Sequence, residues 1–276
     1  MSVDPSLQTF LAYQHGDAHT LETTVKQVQR LDALDKLNIE LFKESGSDYY
    51  VIVTRATIFH PQGGGQPSDT GIMQSPSGIF RVCAVRVDVV NHGRVLHFGH
   101  FDEKSAGFAE GDIILQTIDI EKRLFYSRLH TAGHVLGASV RHLLEHEIPD
   151  FDELKASHFP DSASCEFQGF IEAKWKEPIQ ARLDKYVAKK ADVRVEWWSE
   201  EELRSRGLER LIPDRRLIPA GEKIRVVNIV GLETYPCGGT HVATTDLCGP
   251  VTAGPQSHGK RRPIKVRSRS YLHSHV

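Results

Sequence analysis

The chain has 276 residues, 39% of them hydrophobic and 25% charged, which excludes wholesale disorder and a fibrous repeat and fits one large domain or two modest ones. Its 34 Lys and Arg against 36 Asp and Glu leave a net charge of −2, excluding a binder that wraps nucleic acid by bulk charge but allowing a local basic face. The four cysteines, Cys83, Cys165, Cys237 and Cys248, are too scattered for a disulfide scaffold and suit a reduced compartment with a thiolate ligand.

The N-terminus, MSVDPSLQTF, has neither a basic start nor an apolar core, and no stretch approaches the roughly 20 apolar residues that span a bilayer; a cytoplasmic protein away from membranes is the expectation. Residues Leu21 to Phe42 allow a helix, although Gln27 to Ile39 also reads as a charged connection. Short β-branched and aromatic runs follow: Tyr49 to Ile58, Ile79 to Val90, Val95 to Phe98 and Ile113 to Ile118. They are separated by turn clusters such as Glu44 to Asp48, Gln74 to Gly78 and Asn91 to Gly93. Residues 1–118 therefore read as a small β-barrel or sandwich.

The pattern then changes. Asp119 can cap a helix running to about Glu147, with Leu129, Leu136, Val140, Leu143 and Leu144 at helical spacing and Pro149 ending it. A strand at Ser164 to Phe167, a helix from Pro178 to Lys190 and a strand at Val193 to Trp197 come next. A helix capped by Ser199 and a strand at Lys223 to Val230 complete the half. Residues 119–276 thus read as an α+β domain, and the whole chain as α+β. Charge divides the same way: 9 basic and 14 acidic residues up to 118, then 25 and 22.

His130-Thr131-Ala132-Gly133-His134 falls inside the long helix, where i and i+4 share a face and both imidazoles can point at one ion. Cys237-Gly238-Gly239-Thr240-His241 follows a strand and offers a thiolate and an imidazole four apart. Each half alone is a weak signal. Together they supply N, N, S and N, a set that suits tetrahedral zinc at about 2.0–2.3 Å. HTAGH lacks the glutamate of HExxH, so the general base of a zinc peptidase is absent from it, and the spacing is wrong for a zinc finger. A purely structural zinc is the alternative; against it, a domain of this size needs no metal staple.

The segment His60 to Gly71 follows a strand, and Gly63, Gly64 and Gly65 permit close backbone approach to a ligand. It lacks the GK[ST] ending of a phosphate loop. Taken in order, FHPQGGGQPSDTG, LHTAGHVL and RVVNIVGLETYPCGGTHV resemble the motifs of the alanyl-tRNA editing family: the freestanding AlaX-type proteins and the editing region of alanyl-tRNA synthetase. The resemblance runs from about Tyr49 to Arg269. It implies a β-rich domain with the glycine loop, an editing domain holding zinc through His130, His134, Cys237 and His241, and a hydrolase that cuts a wrong amino acid, chiefly serine and then glycine, from tRNA(Ala). The same domain occurs in threonyl-tRNA synthetases, where the substrate is Ser-tRNA(Thr); that is the runner-up. A zinc-stabilised tRNA-binding protein without turnover is the competing class.

An aminoacyl ester is already activated, so its hydrolysis needs an oriented water and a stabilised oxyanion more than a strong nucleophile. No residue is singled out as the group that activates water. A site that hydrogen-bonds the serine hydroxyl rejects alanine; Thr131, Ser157, His158 and Thr240 are the candidate polar contacts, with Gly63, Gly64, Gly65 and Gln66 of the glycine loop. The synthetase branch carries a Gln-x-Gly-Ser stretch where this chain reads Leu154-Lys155-Ala156-Ser157, which points to the freestanding branch. The last twenty residues hold six basic side chains and no acid, so Lys260, Arg261, Arg262, Lys265 and Arg267 are the expected contacts for the tRNA acceptor end. Nothing resembles an ATP site, so hydrolysis without aminoacylation is expected.

Overall fold

The computed structural model describes residues 8–13, 16–44, 48–213, 221–254 and 262–268, with the backbone alone for Thr9, Phe10, Tyr13 and 262–268. The chain forms two compact units: residues up to Gly63 with Pro67–Arg123, and Gly64–Gln66 with the residues from Leu124 onward.

The first unit contains β1 (Thr9–Phe10), β2 (Thr20–Arg30), α1 (Lys36–Ile39), β3 (Tyr50–Thr54), β4 (Ala56–Thr57), β5 (Gly71–Ser75), β6 (Gly78–Val87), β7 (Val95–Phe101) and β8 (Ile113–Ile118). Six of the strands close a barrel in the order β2-β3-β7-β6-β5-β8, every neighbour antiparallel, and β1 and β4 form a small parallel pair. Closure leaves the sheet no free edge. Alternation puts Ile114, Gln116 and Ile118 of β8 inside while Ile113 and Leu115 face out. The interior is mainly apolar, built from Val25, Ile52, Phe59, Met73, Phe80, Val82 and Val85. β3 is apolar on both faces because Val51 and Val53 pack outward under Leu31, Leu34 and Phe42.

The helix allowed over Leu21–Phe42 is absent. Thr20, Thr23, Thr24, Val25 and Val28 make the first half β-branched, and it becomes the longest strand of the barrel, with only Lys36–Ile39 α-helical. Two buried polar groups brace this unit. Asp88 accepts hydrogen bonds from Asn38 Nδ2 (2.8 Å), from the N–H groups of Val90 and Asn91, and from Arg94. Asp69 pairs with Arg123, whose guanidinium also donates to the carbonyls of Gly16 and Ile58.

The long helix α2 (Ile120–Leu144) starts as expected, with Asp119 Oδ1 accepting from Lys122 N at 3.1 Å. From Leu124 it belongs to the second unit, which adds β9 (Glu153–Ser157), β10 (Ser164–Phe167), α3 (Lys176–Ala188), β11 (Val193–Trp198), α4 (Glu200–Ser205), β12 (Ile224–Ile229), β13 (Glu233–Pro236), β14 (Val251–Ala253) and β15 (Arg262–Ser268). Its two sheets run β14-β15-β10-β9 and β11-β12-β13. Leu129, Val135, Leu136, Val140 and Leu144 of α2 pack on Phe167, Ile179, Leu183, Ile229 and Tyr235 in one core. Ser199 caps α4 in a reciprocal box with Glu202, at 3.1 and 2.7 Å. Among the described residues no helix is long and apolar enough to cross a membrane.

Candidate metal centre

One turn of α2 separates His130 from His134, and their ring centroids lie 4.9 Å apart. The loop after β13 carries Cys237 and His241 to the same place. One ligand atom from each of the four residues lies within 4.8 Å of the other three, the one such group of three or more His, Cys, Asp or Glu among the described residues. Cys237 Sγ is 3.2 Å from His130 Nε2 and 3.4 Å from His241 Nε2. The approach depends on two glycines. A Cβ at Gly239 would collide with the His130 ring, and one at Gly133 with the His158 ring.

The hydrogen bonds behind the cluster fix which nitrogens face inward. Gln66 Oε1 accepts from Thr240 N at 2.9 Å, while Gln66 Nε2 donates to Thr240 Oγ1 at 2.9 Å. The same oxygen lies 2.7 Å from His130 Nδ1, and an oxygen can only accept, so His130 carries its proton on Nδ1 and turns the Nε2 lone pair toward Cys237. Thr131 repeats the arrangement. Its hydroxyl donates to the Ser127 carbonyl at 2.9 Å, accepts from Val242 N, and so accepts from His241 Nδ1 at 3.2 Å. Both histidines are thereby held in the tautomer whose Nε2 lone pair faces Cys237.

Arg225 braces the loop from β12. Its guanidinium donates to the carbonyl of Cys237 and, at 2.9 Å, to that of Gly239. Tyr235 donates to the His134 carbonyl at 3.0 Å, and its ring stacks on that of His134 at 4.3 Å. Neither residue was singled out in the sequence. The signal for Arg225 was an arginine inside the apolar run Ile224-Arg225-Val226-Val227, since a guanidinium buried in a strand needs acceptors close by.

The donor set fits a zinc ion on three observations. His134 Nε2 is buried without a hydrogen-bond partner. Burial holds His134 down to about 3, with His158 adding to the effect, so this imidazole is neutral at pH 7 and its lone pair is available. Burial also pushes the Cys237 thiol up to about 11, against the opposing influence of the Gly239 N–H and Arg225, so a thiolate there calls for a nearby cation.

The proposed substrate contacts fall in three places. Thr131, Thr240 and Gln66 lie behind the histidines, their polar atoms engaged as described. His158 is buried beside the cluster, its ring stacked on His130 at 4.0 Å and 22°. Its N–H donates to the Gly65 carbonyl at 2.8 Å, and its Nδ1 has no hydrogen-bond partner. Burial lowers His158 to about 4, so it too is neutral. Ser157 ends β9 opposite Ser164, Gly64 is exposed at the loop tip, and Gly63 belongs to the first unit. Of the expected tRNA contacts, Lys260 and Arg261 lie outside the described residues; Arg262, Lys265 and Arg267 are on β15, described by its backbone.

Fold and site together define a two-unit α+β protein with a His/Cys cluster of metal-binding type in its second unit. The model of the Threonyl and Alanyl tRNA synthetase second additional domain matches residues 224–253, which carry β12, β13 and the Cys237–His241 loop. An alanine–tRNA ligase of Pyrococcus furiosus is 32% identical over 208 residues, and one of Methanosarcina mazei is 29% identical over 205; each match covers 72% of this chain and 21% of the ligase. Alanyl-tRNA editing protein AlaX-L of Pyrococcus horikoshii is 28% identical over 221 residues, 79% of this chain and 50% of the relative. The chain thus spans about a fifth of the ligases and half of AlaX-L. These matches support an alanyl-tRNA editing family of the AlaX type.

Proposed function

We propose that this protein is a zinc-dependent deacylase that hydrolyses the ester of a mischarged aminoacyl-tRNA, with Ser-tRNA(Ala) as its first substrate and Gly-tRNA(Ala) as its second. The observation that carries the reading is the convergence of three imidazoles and a thiol, two of the imidazoles held with Nε2 inward by Gln66 and Thr131. Similarity to the editing proteins supplies the substrate class. When bound, zinc supplies Lewis acidity toward a carbonyl oxygen or a water molecule.

The chain's own residues provide the selectivity. Thr131 and Thr240 have their hydroxyls engaged, whereas His158 Nδ1 is a polar atom beside the cluster with no partner. A seryl hydroxyl would satisfy it and an alanyl methyl would leave it unpaired, which favours serine. Hydrolysis releases the free amino acid and restores the terminal hydroxyl of the tRNA. The basic strand β15 and the residues before it would hold the acceptor end through its phosphates. The family model also spans threonyl-tRNA synthetases, so Ser-tRNA(Thr) is the second substrate to try.

The test is deacylation of Ser-tRNA(Ala) beside Ala-tRNA(Ala), Gly-tRNA(Ala) and Ser-tRNA(Thr), with and without a chelator. Chelator-sensitive release of serine from tRNA(Ala), with Ala-tRNA(Ala) spared, is expected. His134→Ala should abolish release and keep the far-UV spectrum of the folded protein. Metal-loaded protein that releases nothing from any of the four would refute the deacylase reading.

A further inference from the structure

Two adjacent tryptophans on β11 have opposite fates. Trp198 is buried with Leu203, Ile224 and Val226, with the Arg206 guanidinium over its ring. Trp197 is 41% exposed, and Val195 on the same face is 42% exposed. An indole left in water forgoes the apolar burial that stabilises its neighbour, so its position invites a partner.

The register says where Trp197 stands. It pairs with Arg225 of β12, and the Arg225 carbonyl accepts from the N–H of Cys237 at 3.3 Å, one step beyond the pair Val226 and Pro236. Trp197, Arg225 and Cys237 therefore occupy one row across three strands and share a sheet face. Two strand spacings of about 4.8 Å put the Trp197 backbone roughly 10 Å from that of Cys237. In between, the Arg225 guanidinium is engaged with the carbonyls of the metal loop.

We infer that Trp197 is the platform on which the nucleobase of the terminal nucleotide stacks while the aminoacyl ester faces His130, His134, Cys237 and His241. The inference rests on the deacylase reading and deepens it. In an aminoacyl-tRNA the ester and the terminal base are carried by the same ribose. A substrate whose ester lies at the cluster must therefore place that base one sugar away, which is the reach of the row. The base is unpaired at the end of a single strand, and unpaired bases are held by stacking on aromatic faces, of which indole is the largest. Stacking tolerates any base, so Trp197 is a positioning residue that acts on the nucleotide and contributes nothing to the choice of amino acid.

The experiment uses Ser-tRNA(Ala) prepared in two forms, one ending in adenosine and one ending in an abasic ribose. Wild-type protein should deacylate the adenosine form with a kcat/KM about tenfold higher, chiefly through KM. Trp197→Ala should lose about tenfold on the adenosine form and nothing on the abasic form, and Trp197→Phe should recover most of the loss. An equal loss on both substrates, or an undiminished base preference in Trp197→Ala, overturns the inference while leaving the deacylase reading intact. No turnover of either form by the metal-loaded wild type is the separate failure of that reading, and the inference falls with it.

Discussion

Gln66 exerts its effect through one oxygen, which receives both the Thr240 N–H and the His130 Nδ1–H. Gln66→Leu keeps the side chain's size and removes that acceptor, leaving His130 free to turn or to change tautomer. Partners of this kind are worth about 10–100-fold in metal affinity, so Gln66→Leu should bind zinc more weakly by that factor in competition with a chelating dye. Unchanged affinity would show that the loop fixes His130 without Gln66. Arg225 makes a prediction of another kind. Arg225→Leu leaves the carbonyls of Cys237 and Gly239 without their guanidinium donor, at a cost of about 1–3 kcal/mol in chemical denaturation. A smaller effect would mean that water substitutes for the guanidinium.

Among the elements, α2 was the most legible in the sequence because capping, periodicity and termination agree: Asp119 at one end, Leu129, Leu136 and Val140 on one face, and Pro149 beyond the other end. Strands β10, β11 and β12 and the cap at Ser199 were legible for the same reason, local chemistry matching local structure. Strand β2 was obscured because Leu21, Val25 and Val28 also fit a helical spacing, and pairing with β3 and β8 decides the matter from far along the chain. Strand β9 gave almost no signal, since Leu154 and Lys155 both face solvent. At the site, short spacings marked the four residues that converge, because helix and loop geometry are local. The supporting role of Gln66, named from the sequence as a substrate contact, was hidden: it lies 64 residues from His130 and 174 from Thr240, and a glutamine in a glycine loop has no reason on its face to be buried.

At the scale of the whole molecule chelation should separate the two units, whereas acid should act on both. The candidate metal centre lies in the second, so chelation should lower the unfolding temperature of that unit and leave the barrel unmoved, resolved by calorimetry or by hydrogen exchange read unit by unit. In the barrel acid should act through His97, as in the second unit it should through His134 and His158. Burial lowers His97 to about 4, against the hydrogen bond from its Nδ1 to the Ile52 carbonyl. The folded state resists a proton that the unfolded chain accepts from about pH 6.5 downward. The stability is therefore whole above 6.5 and lost between there and 4, on the order of 3 kcal/mol. For Asp88, burial works to raise the value, but hydrogen bonds from Asn91, Asn38, Arg94 and Val90 prevail and bring it to about 2, so its contribution persists until the pH falls below about 3.8. Urea midpoints from pH 7 to 4 should decline in the wild type and decline less steeply in His97→Gln; parallel curves would assign the acid sensitivity elsewhere.

The tripeptide Gly64–Gln66 is counted with the second unit although the first flanks it on both sides. The chain is made from one end, so this imposes a schedule. All six barrel strands exist once Ile118 has been synthesised, yet Gln66 waits 174 residues for Thr240. At about 5–20 residues per second that is roughly 9–35 s on the ribosome. A chain stopped between Ile118 and Thr240 can have a finished barrel and an unfinished cluster, so metal uptake marks the synthesis of the Cys237–His241 loop.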